Sequence, residues 1–174
     1  MASQDHPEQV GQQNLIRHQL IVFRLGQEEY GLHIDQIKEV VLTPHITRMP
    51  KTPFYIKGVA NIRGNIIAIV DLEEKFGIKE ESNRDVNEER NYTLVVESDT
   101  IKMGVLVAEV PNTLSISSAD IDESPNLMQD TQEGADYVRG IVKSGKRLII
   151  LIDILEVMAE KEVNQVLQKE KSVA

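Results

Sequence analysis

Residues 55–76, YIKGVANIRGNIIAIVDLEEKF, form the stretch of sequence that decides the fold. When the sequence is shifted by 82 positions, residues 137–158, YVRGIVKSGKRLIILIDILEVM, align with this stretch without a gap. Identical residues occur at five aligned positions: Tyr55/Tyr137, Gly58/Gly140, Ile67/Ile149, Asp71/Asp153 and Glu74/Glu156. Most other aligned pairs keep their chemical character, so we interpret the two stretches as copies of an internal duplication.

Each copy contains two short apolar runs separated by a polar break with a glycine, at residues 61–64 in the first copy and 143–146 in the second. This pattern is typical of a β-hairpin. The run after each break is almost continuously apolar, at residues 66–70 and 148–152. Such a run predicts a strand that is buried on both faces.

A second repeat lies upstream of each copy. Residues 19–34 form two apolar runs around a glycine-containing break, which predicts another hairpin. A shift of 73 positions aligns Gly31 with Gly104 and brings the first of these runs onto residues 94–96. The whole unit of two hairpins therefore occurs twice. The two shifts differ by nine residues, which we place in the polar segment 117–135, predicted to be a surface loop.

The repeat predicts an all-β fold. Each copy supplies about four or five short strands, too few for a broad open sheet and suited to a small closed barrel. We expect two related barrels side by side and a C-terminal helix, with a groove between the barrels as the place for binding. The predicted divisions are a flexible tail (1–17), a domain (18–159) with a first barrel (mainly 18–88) and a second barrel (mainly 89–153), and a C-terminal helix and tail (154–174).

The composition limits the class of protein. The chain of 174 residues has a net charge of −9, 41% apolar residues, no Cys and no Trp, as expected of a globular protein with an aliphatic core. The lack of Cys excludes a disulfide framework and a thiolate zinc site. The acidic balance argues against nucleic-acid binding. Because the sequence shows no signal peptide and no apolar window of membrane-spanning length, we expect a cytoplasmic protein without direct membrane insertion.

The sequence contains no complete catalytic motif. Neither GxxxxGK nor GxGxxG occurs, and no two of the four His share a metal-binding spacing with a carboxylate, so we expect no cofactor and no metal. Asp71 and Asp153 are the most suggestive pair, since two carboxylates from two repeats can form an acid dyad. Each precedes a stretch of helical character rather than a glycine-flanked loop. We therefore predict two helix N-caps and no enzyme, with a carboxylate enzyme that uses this pair as the alternative.

Two long segments carry a family resemblance. LGQEEYGLHIDQIKEVV, at residues 25–41, and TRMPKTPFYIKGVANIRGNIIAIVDLEEKFG, at residues 47–77, resemble the CheW family of chemotaxis coupling proteins, and the similarity extends over residues 19–158. The resemblance implies two five-stranded, SH3-like barrels and an adaptor without catalysis. It also implies two partners, the cytoplasmic hairpin tip of a chemoreceptor and the regulatory domain of the histidine kinase CheA, in arrays at the membrane. A related adaptor of a non-chemotactic array is an alternative within the family.

The family pattern also indicates which residues contact partners. The matching positions are Ile37, Glu39, Lys57, Gly58 and Arg63. Arg63 lies in the predicted hairpin turn, where its fork of donors suits a carboxylate of a partner. The chain departs from the family at Glu73, where a basic residue is common. This departure reverses a charge beside the hairpin, and it leaves open which receptor and which kinase the protein prefers.

Overall fold

The computed structural model describes residues 15–78, 90–123 and 137–158. The strands are β1 (Arg17–Leu25), β2 (Glu28–His33), β3 (Ile37–Leu42), β4 (Ile56–Ile62), β5 (Asn65–Val70), β6 (Tyr92–Glu97), β7 (Lys102–Val107), β8 (Asn112–Ser117), β9 (Ile121–Asp122), β10 (Val138–Ser144) and β11 (Arg147–Ile152). The helices are α1 (Leu72–Lys75), α2 (Ile154–Met158) and two 3-10 turns, Ile34–Gln36 and Ser118–Asp120. The structure confirms the predicted all-β fold with a short C-terminal helix.

The strands form two sheets. Sheet A has the order β8-β1-β2-β11-β10-β9, and sheet B has the order β3-β6-β7-β5-β4. Neighbouring strands are antiparallel except at two places, where β2 pairs with β11 and β5 pairs with β7 in parallel. The sequence-predicted hairpins β1–β2, β4–β5, β6–β7 and β10–β11 are therefore all present.

The chain joins the two edges of each sheet. In sheet A, the edge strands β8 and β9 are separated only by the 3-10 turn Ser118–Asp120. In sheet B, the chain leaves the edge strand β3 and forms a bridge to the other edge, where Thr47 and Val59 exchange two backbone hydrogen bonds of 2.8 Å. Both sheets thus curl into small barrels, as closure of a short-stranded sheet requires.

The duplication is visible in the positions of the strands. A shift of 82 superposes the bounds of β4 on β10 and of β5 on β11, and a shift of 75 superposes β3 on β8. The bridge of Thr47 with Val59 has its counterpart in the pairing of Asp122 with Ile141. The shift is 73 at Gly104 of β7 and 75 at β8, so two of the nine extra residues lie between these strands, before the predicted position. The shift is 82 at β10, so the other seven lie after Asp122.

The prediction that the first barrel ends near residue 88 and the second begins there was wrong. The hairpin β1–β2 of the first copy completes sheet A, together with β8–β11 of the second copy. Conversely, the hairpin β6–β7 of the second copy completes sheet B, with β3–β5 of the first copy. The copies thus exchange their first hairpins. Local patterning specifies a hairpin but not its neighbour in the sheet, which is set by the two long-range parallel pairings.

Both parallel pairings depend on a close approach of strands at a glycine. Gly104 of β7 lies opposite Ile69 of β5, and a Cβ atom there would lie 2.8 Å from Ile69 Cδ1 and 2.6 Å from Thr93 Cγ2. Gly31 of β2 is its counterpart in the pairing with β11, where a Cβ atom would lie 3.2 Å from Ile149 Cγ2. A side chain at Gly104 would push the aliphatic core away from the strand.

The two barrels share one apolar core. The largest buried cluster contains side chains of both sheets and of α2, including Phe23, Leu32, Val70, Leu94, Val105 and Val157. Smaller clusters fill the interior of each barrel. Phe76, which follows α1, stacks on Tyr137, which precedes β10, with ring centroids 4.9 Å apart. Each Å² of apolar surface removed from water stabilises the folded protein by roughly 25 cal/mol. The shared core therefore holds the two barrels against each other.

Several predicted segments fall on residues that the structure does not describe. Residues 1–14 of the predicted tail, 79–89 of the connector between copies, 124–135 of the predicted loop and 159–174 of the predicted C-terminal helix and tail lie outside the described residues. Among the helices within the described ranges, none is long and apolar enough to cross a membrane.

Gly58 provides a test of the barrel closure. Its φ is +145°, and a Cβ atom would overlap the carbonyl oxygen of Thr47, the bridging residue. We expect Gly58→Ala to lower the free energy of unfolding by at least about 3 kcal/mol, because left-handed strain and a backbone clash add. Gly145, with φ +62° and open space around it, is the matched control, and Gly145→Ala should cost about 1–2 kcal/mol. Equal urea-unfolding midpoints for the two variants would contradict this role.

Candidate partner-binding surface

The turn between β4 and β5 presents Arg63 to solvent. Ile62 pairs with Asn65, so Arg63 and Gly64 form a two-residue turn in which both φ angles are positive, at 53° and 84°. These angles are typical of the mirror-image turn that matches the twist of a hairpin. The Asn61 side chain accepts a 2.9 Å hydrogen bond from the Gly64 N–H. The turn therefore holds the Arg63 side chain outward, and 73% of it is exposed.

Arg63 and Glu39, two of the predicted site residues, form an ion pair. The Arg63 Nε donates to Glu39 Oε2 at 2.6 Å, although the residues are 24 positions apart. Glu39 lies on the edge strand β3, so the pair links this edge to the hairpin tip. Since the bond uses Nε and most of the side chain is exposed, the terminal nitrogens of Arg63 remain on the solvent side, where a partner carboxylate can reach them.

Exposed apolar side chains occur on the strands that carry this ion pair. Ile66 is 57% exposed, and Val40 and Leu42 of β3 are exposed as well. A shallow depression of about 290 Å³ is lined by Pro44, His45, Thr47, Val59, Ala60, Asn61 and Ile66. An exposed guanidinium beside aliphatic side chains is a composition found at protein–protein interfaces. The predicted burial of residues 66–70 on both faces is wrong for Ile66. Its position shortly after the hairpin turn is the sequence signal that indicates its exposure.

The other three predicted site residues make contacts within the fold. Ile37 is partly buried against the shared core, and Gly58 is buried in the irregularity of β4 at the barrel closure. The Lys57 ammonium contacts the Glu74 carboxylate of α1. The duplication repeats this last contact, because Arg139 lies 3.5 Å from Glu156 at the corresponding positions. These three residues support the fold around the Arg63–Glu39 pair.

Asp71 and Asp153 are helix N-caps, as predicted. Asp71 Oδ1 accepts a 3.2 Å hydrogen bond from the Glu74 N–H at the start of α1. Asp153 Oδ1 accepts a 3.0 Å bond from the Leu155 N–H at the start of α2. A carboxylate at this position satisfies a backbone donor that has no partner within the helix.

Glu73, where the chain departs from the family, is buried and is not a surface charge. It is 6% exposed, and its carboxylate accepts a 2.9 Å hydrogen bond from the Gly26 N–H and lies 2.8 Å from the Arg90 guanidinium. Arg90 also contacts Asp71, and its burial lowers its pKa from the ordinary value. Glu73 therefore ties the β1–β2 turn to α1. A buried carboxylate is tolerated when an arginine and a backbone donor satisfy it.

The two capping carboxylates do not form an acid dyad. Asp153 accepts hydrogen bonds from Gln36 at 2.9 Å and Arg139 at 3.1 Å, whereas Asp71 contacts Arg90. A dyad requires two carboxyls in contact and a raised pKa on one of them. Burial opposes ionisation of Asp153, but hydrogen bonds from Gln36, Arg139 and backbone amides outweigh it, and the net effect lowers its pKa. In the described part of the chain, no group of three or more potential metal ligands is present.

The fold and the surface define a class of protein: a duplicated, two-barrel β-protein whose candidate site suits another protein. The protein-family model described as CheW-like domain matches residues 19–162. The chain belongs to the CheW-like family.

Named relatives agree with this assignment. The chain is 34% identical over 140 residues to the chemotaxis protein CheW of Helicobacter pylori, covering 80% of this chain and 81% of that protein. It is 33% identical over 148 residues to the chemotaxis protein CheW of Klebsiella aerogenes, covering 85% and 86%. A solved structure, the scaffolding protein TtCheW from Thermoanaerobacter tengcongensis, aligns with TM-score 0.69 and 32% identity over 84% of this chain and 97% of that one.

The lowered pKa of Asp153 predicts how the stability of the protein changes in acid. Because its pKa is lowered in the folded protein, its contribution to stability is present above the unfolded pKa of about 3.9 and is lost as the pH falls through the folded value. We expect Asp153→Asn to be less stable than wild type at neutral pH, with the difference shrinking below about pH 4. Urea unfolding at both pH values measures this. Asp99→Asn, in the exposed β6–β7 turn, is the control. A stability difference that is independent of pH would contradict the assigned role.

Proposed function

We propose that this protein is a non-catalytic chemotaxis adaptor that couples the cytoplasmic hairpin tips of chemoreceptors to the regulatory domain of the histidine kinase CheA. Membership of the CheW-like family and the names of the relatives support this proposal. The similar solved structure is described as a scaffolding protein, which fits the same role. The adaptor acts in the cytoplasm and is recruited to receptor arrays at the membrane.

The exposed Arg63–Glu39 pair is the observation that carries the proposal. Glu39 orients the guanidinium from one side, so the partner meets a donor group that is already in position. A carboxylate of the partner is the natural acceptor for the terminal nitrogens. Ile66, which follows the Arg63–Gly64 turn on β5, provides aliphatic area near the charge, where an apolar side chain of the partner is removed from water.

The five family positions divide by role within this proposal. Arg63 contacts the partner, and Glu39 orients Arg63. Ile37 anchors β3 to the core, Gly58 allows the closure that brings the chain near the tip, and Lys57 fixes α1. The proposal includes no reaction, because the carboxylates that suggested one are each satisfied as helix caps.

Arg63 variants test the proposed surface. We expect Arg63→Ala to weaken binding to a partner by about 2 kcal/mol or more, the range of an interface residue that dominates affinity. The free energy of unfolding should change by less than about 0.5 kcal/mol, since Ala also has a Cβ at the same positive φ and exposed ion pairs contribute little. Arg63→Lys should recover part of the affinity, because it keeps the charge and loses the planar fork.

The measurement is a calorimetric titration of each variant with a receptor hairpin fragment and, separately, with the kinase regulatory domain. Arg48→Ala, which removes another exposed arginine, is the matched control and should bind as wild type. Wild-type affinity of Arg63→Ala for both partners would contradict the proposed surface. A collapsed thermal transition would instead show that Arg63 holds the hairpin together.

A further inference from the structure

Two histidines that the adaptor function does not use meet at one end of the barrel formed by sheet A. The imidazole rings of His18 and His33 have their centroids 5.2 Å apart, at an interplanar angle of 61°. The two residues are 15 positions apart in the sequence, so no local spacing marks them as a pair. The contact is made by the fold, because His18 lies on β1 and His33 on β2, which are antiparallel neighbours.

The strand register places both histidines on one face of the sheet. His33 lies opposite Leu20 in the pairing of β2 with β1. His18 comes two positions before Leu20 and shares its face, since alternate residues of a strand point to the same side. The two histidines are therefore diagonal neighbours across the strands. Side chains in this relation have Cβ atoms about 7–8 Å apart, which lets two long rings turn toward a common point.

The histidine pair lies where the aliphatic interior of this barrel ends. Leu20 and Ile116, which lies opposite His18 on β8, both belong to the buried cluster of this barrel. His18 and His33 are themselves only half-buried. Within residues 15–78, 90–123 and 137–158, neither ring makes a hydrogen bond or an ion pair. The ring nitrogens are therefore available to a ligand from solvent.

The separation of the rings fits two ligands of one tetrahedral metal ion. Zinc binds a histidine nitrogen at about 2.0–2.1 Å, which places the ion about 3.2 Å from the ring centroid. Two rings that bind at a tetrahedral angle then have centroids about 5 Å apart, which is the separation of His18 and His33. Neutral imidazole suits zinc, nickel and copper ions, whereas magnesium and calcium ions prefer oxygen ligands.

We propose that His18 and His33 form a binding site for a divalent transition-metal ion, and that Zn²⁺ is the ion whose geometry the pair fits. The expectation of no metal rested on spacing along the chain, which does not reveal a pair made by strand register. No third histidine, cysteine or carboxylate joins the pair among the described residues, so water completes the coordination. Such an open site exchanges its ion more readily than a structural site with four protein ligands.

The bound ion ties β1 to β2 at the ends opposite their turn. This hairpin is the one that the first copy contributes to sheet A, so metal binding stabilises the exchanged arrangement of the barrels. The Arg63–Glu39 pair belongs to sheet B. The metal site is therefore an inference that does not depend on the proposed adaptor function.

Calorimetric titration of the full, tag-free chain with Zn²⁺ tests the site. We expect saturable binding of a single ion, and no comparable binding of Mg²⁺. His18→Gln and His33→Gln should each weaken Zn²⁺ binding about tenfold or more, because either change leaves one imidazole to hold the ion. His45→Gln, in the segment that follows β3, and His6→Gln are the matched controls and should bind Zn²⁺ as wild type.

Two further measurements keep the test decisive where a variant folds poorly. Added Zn²⁺ should raise the thermal transition of wild type and leave that of His18→Gln and His33→Gln unchanged. In NMR spectra of wild type, Zn²⁺ should shift or broaden the ring resonances of His18 and His33 and leave those of His45 in place.

Three results would overturn the metal site. The first is no saturable Zn²⁺ binding by wild type below about 1 mM. The second is wild-type affinity in both His18→Gln and His33→Gln, or loss of binding in His6→Gln. The third is unperturbed ring resonances of His18 and His33 at a Zn²⁺ concentration that saturates the calorimetric signal. Each of these leaves the Arg63 surface and the proposed function unaffected.

Discussion

Two parallel strand pairings, β2 with β11 and β5 with β7, are the constraint on which the rest of the structure depends. Each pairing joins the first hairpin of one copy to the later strands of the other, and each has a glycine, Gly31 or Gly104, where core side chains approach the backbone. In this structure neither copy completes a barrel with its own strands. The exchange therefore links the two repeats, and both barrels share a common core.

The common core explains how the copies diverged at their surfaces without losing the fold. Contacts beneath the tips are repeated, such as Lys57 with Glu74 and Arg139 with Glu156. At the tips themselves the chemistry differs, because the first presents Arg63 and the second presents Lys146. Hairpin turns contribute little buried area, so their side chains can change at small cost in stability. A duplicated scaffold thus carries two hairpin tips of different chemistry.

At the candidate site, the sequence indicated which residues matter but not which of them contact each other. The hairpin turn and the family resemblance singled out Arg63 and Glu39, but only the closure of sheet B placed their side chains 2.6 Å apart. The resemblance marked Glu73 as a reversed charge beside the hairpin, and only the structure shows that it is buried against Arg90 and the Gly26 N–H. A carboxylate in a polar stretch gives no local sign of burial, since its partners lie 17 and 47 residues away in the sequence.

The sequence by itself determined the duplication, because two stretches 82 residues apart align without a gap. It also determined the four hairpins and the two capping carboxylates, because each of these depends on residues within a few positions of one another. It did not determine which hairpin joins which barrel, nor that Ile66 and Leu148 stay exposed at the ends of otherwise buried strands. Those features were decided by the tertiary structure. A strand edge accepts any partner of suitable pattern, and the choice is made by the packing of the whole core, which joins residues far apart in the chain.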